Sequence, residues 1–491
     1  MANKLMKKVF GDTSRYSVSD GKIKVKSPGI FRPQYYSLFV DPFRHNPYKL
    51  IDNTEPGASI LHPQYSQLFD NLIKNDKKKK VFKLDMTRLI GYPTPFPVSD
   101  WLNGYLVKVP DALHPGKYLE VWPNTGTFSG QFIMVIGNSN TGKSAYCIQS
   151  GSHIVKNFKN GLFLHIDGEH SSSPERVIKL NHYTPDEYER SYKFLECDTV
   201  ESLFSVIMDL ATEKFTNAQD YLYDTGHLDA TGKPFMMLEP TVILIDALPS
   251  LQTNEVYDSE GQQSSEMMGQ TYDMRLARAY NSFYKRLRPI IHRANIIVYA
   301  INHIKDRPNT GQFAQQSKIQ YLRRDESIPG GTGPIYLSQT LYRFVYKKMK
   351  KLEDDGFDGF EVAVQCWKSK TNRSNTSFNL MYDHAKGFDP WRSMLGFLDT
   401  AGVVEGRNPY RYFKHEPDIK FSTKNFPAEI EANPKLIEAL NKEAAPLLHI
   451  LLGENEYDPN EVDVPLNKLS ELLKTTYGLE EENERQTVLD G

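Results

Sequence analysis

The sequence predicts an α/β fold, a mostly parallel sheet with helices on both faces. Three observations carry that prediction. Short apolar runs alternate with longer helical stretches from about residue 117 onward. A glycine-rich turn joins the first such run to the first such stretch. Several runs end in acidic or amide side chains, and in sheets of this kind the strand ends open on a ligand crevice.

The chain has 491 residues, too many for one ordinary domain. Residues 1–116 are rich in Pro, Tyr, Lys and Asn, with weak periodicity. They read as an extended, irregular N-terminal region, an oligomerisation arm or a separate binding module, with one helix over Gln64–Lys74. The sheet-forming block is expected over 117–392. Its parallel strands are expected at Phe132–Ile136, Leu162–Ile166, Lys193–Cys197, Val242–Ile245 and Ile296–Ile301, and its helices at Lys143–Phe158, Val200–Phe215 and Gln270–Arg293. Three further strands, Leu341–Lys351, Glu361–Lys368 and Ser377–Tyr382, read as antiparallel. A small α/β C-terminal domain follows over 393–453, helical from Ala428 to Leu452, and then an acidic tail over 454–491.

Charge is unevenly spread although the net value is −2. Residues 1–30 carry seven Lys/Arg against two Asp, and residues 454–491 carry eleven Asp/Glu against three Lys/Arg. A basic front and an acidic tail fit a partner that is a polyanion. No apolar run is long enough for a membrane helix, and Met1–Phe10 lacks the apolar core of a secretory signal. The three cysteines, Cys147, Cys197 and Cys366, form neither a metal spacing nor a disulfide framework. A cytoplasmic protein, without membrane partners, is expected.

The chemistry begins at Gly137-Asn138-Ser139-Asn140-Thr141-Gly142-Lys143-Ser144, which fits G-x-x-x-x-G-K-[ST] between a strand and a helix. The glycines let backbone N–H groups converge on phosphate oxygens, and the helix N-terminus adds favourable dipole. Lys143 reaches the β and γ phosphates, and the Ser144 hydroxyl ligates Mg²⁺. Cys147 lies just past the loop on the same helix, a small core residue counted with the loop among the nucleotide-binding positions. A nucleoside triphosphate with Mg²⁺ is therefore the expected ligand.

Hydrolysis needs a second carboxylate near the metal and a group that activates water. Asp246 ends the run Thr241–Asp246 and is the natural second metal ligand. Glu169, after the run Leu162–Ile166, is the expected general base, with Asp167 the nearer alternative. Asn302 and His303 end a third run and stand where they can sense a γ phosphate.

The order of these motifs resembles the RecA family of recombinases, most closely its bacterial and phage forms. Asp167-Gly-Glu169-His170 is similar to that family's D-x-E-H, in which Glu is the catalytic base. Asn302-His303 resembles its switch position. Gly330-Gly331, within Gly330–Ser338, resembles the end of the second DNA-binding loop. Lys368-Ser-Lys370 resembles a Lys-x-Lys motif whose lysines act on ATP held by the adjacent protomer. Tyr410–Phe413 and Asn425–Asn433 resemble parts of the family's C-terminal domain. The likeness covers roughly residues 117–450. It departs at Ala247, where Ser is common, around Ser173–Arg176 near the adenine, and in the longer N-terminal region.

The resemblance implies a RecA-like P-loop ATPase core, a DNA-dependent ATPase, and helical self-assembly on single-stranded DNA for pairing and strand exchange with double-stranded DNA. Single-strand-binding or mediator proteins are further expected partners. Two loops are the expected DNA contacts. The first, about 252–270, is acidic, and Met267 and Met268 are its candidates for wedging between bases. The second, about 305–333, carries Lys305, Arg307, Lys318, Arg323 and Arg324 to neutralise phosphates, and Phe313 and Tyr321 to stack on bases. A hexameric helicase and a weakly hydrolysing mediator are the competing readings.

Overall fold

The computed structural model describes residues 16–19, 22–25, 89–110, 118–156, 158–229, 232–254, 270–306, 321–323, 326–330, 333–452 and 476. The expected Gln64–Lys74 helix lies outside them, as do Met267, Met268, Arg307, Phe313, Lys318, Arg324 and Gly331.

The chain forms a mixed α/β fold around a nine-stranded sheet. The strands are β1 (Phe132–Gly137), β2 (Leu162–Asp167), β3 (Tyr192–Phe194), β4 (Thr241–Asp246), β5 (Ile296–His303), β6 (Thr340–Lys350), β7 (Gly359–Ser369), β8 (Thr376–Asp383) and β9 (Gly387–Asp389). Their spatial order is β9-β8-β7-β6-β1-β5-β4-β2-β3. From β6 to β3 every pairing is parallel; β7, β8 and β9 extend the sheet antiparallel.

Strands β1 and β4 are buried at every position, as continuous apolar runs require when both faces are covered. Residues of β1 alternate between two cores: Ile133 and Val135 face one, while Phe132, Met134 and Ile136 face the other. Helix α1 (Lys143–Val155) covers the first face. Helices α2 (Val200–Thr216) and α3 (Gln270–Ala294) cover the second. Thr199 caps α2 by accepting from the Ser202 N–H.

One expectation needs correction, and one element is added. The boundary at 116/117 falls inside a paired unit. Tyr105–Pro110 pairs antiparallel with Tyr118–Asn124, and Gly91–Tyr92 pairs with Thr127–Phe128. A buried helix, Pro97–Asn103, sets the Trp101 ring 4.7 Å from His449 of the C-terminal helix Pro434–Leu452. Residues 89–110 therefore belong to the core. The segment between α2 and β4, to which no element was assigned from the sequence, holds a hairpin, Leu222–Leu228 with Pro234–Leu238. Its apolar run Phe235–Leu238 and the turn at Gly232 were the available signal.

The C-terminal portion is α/β, as expected. A helix, Pro390–Ala401, leads into the three-stranded sheet Val404–Arg407, Tyr410–Phe413 and Glu416–Phe421. Helices Phe426–Ala432 and Pro434–Leu452 follow, and Leu440, Leu447 and Leu451 join the same core as α1. Among the described residues no helix is long and apolar enough to cross a membrane.

A buried ion pair fixes the foot of the second loop. Lys305–Asp306 pairs antiparallel with Glu326–Ser327. Arg343 of β6 donates from both terminal nitrogens to Glu326, at 2.8 and 2.6 Å, and lies 4.6 Å from the Trp367 ring. Burial pushes the Glu326 carboxyl up, but bonds from Arg343 and the Arg323 N–H outweigh it and hold the group below its usual range. Removing one member of such a pair strands the other charge. Arg343→Ala is expected to cost about 3–5 kcal/mol in urea unfolding at pH 7, whereas a cost under about 1 kcal/mol would mean the pair does not anchor the loop.

Candidate nucleotide site and its link to the second loop

Every candidate of the first motif gathers at one edge of the sheet, where the parallel strands end. Gly137 closes β1, and Gly142 precedes α1 with φ +83°, a left-handed conformation that favours glycine. A side chain at 142 would also meet the Phe388 ring at 2.7 Å. No side chain caps α1, so its first N–H groups face the loop's hollow and are available to an anion. Thr141 Oγ1 and Lys143 Nζ both donate to the Asn138 carbonyl, at 2.9 and 2.7 Å. Cys147 packs fully into the core, and burial, with the nearby Asp246 charge, pushes its thiol well above the ordinary range. It is a neutral packing residue rather than a nucleotide ligand.

The carboxylates come from neighbouring strands. Asp246 of β4 sits in register with Asp167 of β2. Asp246 is raised to about 6, chiefly by burial; the Ser144 hydroxyl bond lowers it, while the charges of Glu169 and Asp167 raise it. Burial takes the Lys143 ammonium below the usual lysine range, against the pull of Asp246 and Glu169. Asp246 Oδ2 and Asp167 Oδ1 are buried without a hydrogen-bond partner among the described residues. Two orphaned carboxylate oxygens beside Ser144 fit a hard cation. Mg²⁺ takes one or two carboxylates and completes its shell with water and phosphate oxygens. No cage of three or more His, Cys, Asp or Glu side chains exists among the described residues, and such an ion does not need one.

Glu169 and His303 meet directly: Nε2 of His303 lies 2.7 Å from Oε1 of Glu169. Asn302, fully buried, accepts from the His303 N–H at 2.8 Å and donates to the Pro329 carbonyl at 3.0 Å. A bonded path thus runs from Glu169 through His303 and Asn302 to the exit of the second loop, next to Gly330. Asp167 accepts from the Ser172 N–H at 2.8 Å and keeps its other oxygen buried, whereas Glu169, bonded to His303, is the more exposed of the two candidate bases.

Other candidates lie elsewhere. Lys305 and Arg323 are exposed at the loop's foot. Tyr321 packs partly against the core beneath it, which limits its ring as a stacking surface. Because β7 runs antiparallel, Lys370 lies at the opposite end of the sheet, its N–H bonded to Gln339 beside Phe132, while Lys368 pairs with Leu341 and so lies level with Met134, three residues before Gly137. At about 3.3 Å per residue, Lys370 stands roughly 17 Å and Lys368 roughly 10 Å from Gly137 along the strands, with two strand spacings of about 4.8 Å across. These lysines therefore do not reach their own chain's phosphate loop. Lys368 is only 8% exposed and donates to the Ile335 and Tyr336 carbonyls at 2.9 and 2.7 Å. Its ammonium holds the end of the short helix Gly333–Leu337, so the expectation that both lysines project outward is corrected for Lys368.

Sequence reasoning missed Tyr382, and touched Arg176 only within the Ser173–Arg176 departure near the adenine. Tyr382 would meet a side chain at Gly142 at 3.2 Å, and its hydroxyl accepts from Arg176 at 2.7 Å. Tyr382 ends a strand far along the chain, and no local motif marks it. Neither the known protein-family models nor the curated proteins give a match to this chain.

Proposed function

We propose that the protein is an ATP-dependent DNA recombinase with a RecA-like core, assembling head to tail on single-stranded DNA. Lys143, Ser144 and the loop amides hold the triphosphate, Ser144 and Asp246 hold Mg²⁺, and Glu169 orients the attacking water. Tyr382 and Arg176 border the loop where a nucleobase would lie. The observation that carries the reading is the bonded path Glu169–His303–Asn302–Pro329. A γ phosphate that recruits His303 frees Glu169 and shifts the loop exit in the same event, which couples ATP state to DNA grip. The placement of Lys370 on the far edge favours a contact between copies. A repeated contact of unlike faces generates an open helix.

The test is ATP turnover with and without single-stranded DNA, paired with electron microscopy. DNA-stimulated turnover and long filaments are expected. Closed rings would favour the helicase reading, and absent turnover would end the proposal. In the same assay series, Arg323→Ala with Arg324→Ala is expected to weaken single-strand binding and reduce the salt slope by about 1–2; an unchanged slope would remove the second loop from the DNA contact.

A further inference from the structure

The phosphate loop has two flanks. Under the proposed function Asp246, Glu169 and His303, at the ends of β4, β2 and β5, mark the flank of the γ phosphate. The other flank is built from β8 and β9, on the far side of β1 in the sheet. A Cβ at Gly142 would meet the Phe388 ring there at 2.7 Å and the Tyr382 ring at 3.2 Å. A nucleoside whose triphosphate fills the loop leaves it on this second flank. Arg176 reaches the same place from the helix Pro174–Asn181 and donates through Nη2 to the Tyr382 hydroxyl at 2.7 Å. Gln149 of α1 fixes both parts of this wall. Its amide donates to the Leu180 carbonyl at 3.2 Å and the Phe388 carbonyl at 2.9 Å, and accepts from the Phe388 N–H at 2.9 Å.

The chemistry of the wall is one-sided. The Tyr382 ring is only 7% exposed and stacks on the Phe360 ring with centroids 4.6 Å apart, so it offers little face to a base. Arg176 is exposed, and the bond to Tyr382 is the sole use of its guanidinium among the described residues. A guanidinium carries five N–H donors and no acceptor. The acceptors beside it in the helix are committed. Ser173 Oγ accepts from the Arg176 N–H at 3.3 Å, and the Glu175 carboxylate is bonded to Ser173 and to its own N–H.

We infer that Arg176 reads the base edge, and that the site takes triphosphates of 6-oxopurines, guanine or hypoxanthine, at least as well as ATP. The inference rests on the proposed function and deepens it by naming the bases accepted. Oxygen 6 and nitrogen 7 of such a base both accept, and a guanidinium fork meets the pair with two parallel bonds. Adenine keeps nitrogen 7 but sets its 6-amino donor against the same fork. Tyr382 is a positioning residue, because its hydroxyl holds the fork in one orientation.

Inosine triphosphate tests this, since hypoxanthine differs from adenine at the 6-position and the adjoining N1 proton. The readout is kcat/KM for inosine triphosphate over ATP, with single-stranded DNA present. The wild-type ratio is expected at about 1–10, and Arg176→Ala is expected to lower it about 5–10-fold. Tyr382→Phe, which removes only the hydroxyl, should lower it about 2–3-fold. A variant that merely folds badly loses both rates together and leaves the ratio in place. A wild-type ratio below about 1 overturns the inference, and so does an Arg176→Ala ratio within twofold of the wild type. The wild-type ratio decides alone if a variant does not fold. A wild type that hydrolyses neither nucleotide removes the reading beneath the inference instead.

Discussion

Lys143→Ala is expected to lower ATP turnover by about a thousandfold while leaving the fold intact. The magnitude follows from removing a preorganised cation where the γ phosphate gathers charge in a water-poor site. The intact fold follows from local bonding. Lys143 shares the Asn138 carbonyl with Thr141 Oγ1, which still donates at 2.9 Å once the lysine is gone. The substitution also removes a buried ammonium that burial disfavours. Thermal unfolding should therefore change little. A variant that loses activity and melts much earlier would assign Lys143 a structural role, and one that keeps wild-type turnover would move the active site elsewhere.

Asp246→Asn is expected to separate stability from activity. The folded-state pKa, about 6, lies above the ordinary 3.8. The folded chain thus holds this proton more tightly than the unfolded chain does. The stability that comes with it is fully present below about pH 4 and is lost as pH rises through 6. An amide never ionises, so the variant keeps what the wild type loses. The gain is expected to reach up to about 3 kcal/mol at pH 8 in the absence of Mg²⁺ and nucleotide, and to vanish near pH 4. Mg²⁺-dependent turnover should fall by about 10²–10³. Urea melts at the two pH values check the sign; a destabilised variant at pH 8 would show that Asp246 is held ionised by its surroundings. Active sites often store instability of this kind.

The sheet and the glycine-rich turn between its first strand and helix were legible because each has a short-range signature. Phe132–Gly137 and Thr241–Asp246 are continuous apolar runs, and a strand buried on both faces leaves such a run. The Lys143 helix announces itself by glycine before and a long buried stretch after. What escaped reading depends on chain segments far apart in sequence. Tyr105–Pro110 looks irregular until Tyr118–Asn124 pairs with it. The Tyr382 ring reaches Gly142 from 240 positions downstream. Lys368 and Lys370 carry the same motif, and only the nearby helix end separates a carbonyl-bound ammonium from an outward one. Asn302 was legible as a strand-end amide, but its bond to Pro329 required the loop to return.

Lys285, Arg288 and Lys370 line one cavity of about 680 Å³, and this bears on symmetry. Two copies that met across a twofold axis at this face would set Lys285, Arg288 and Lys370 against their own images, and like charges at short range repel. Closed pairing through this face is thus disfavoured. If copies assemble as proposed, contacts between unlike faces avoid that repulsion, and the resulting assembly would have two chemically different ends.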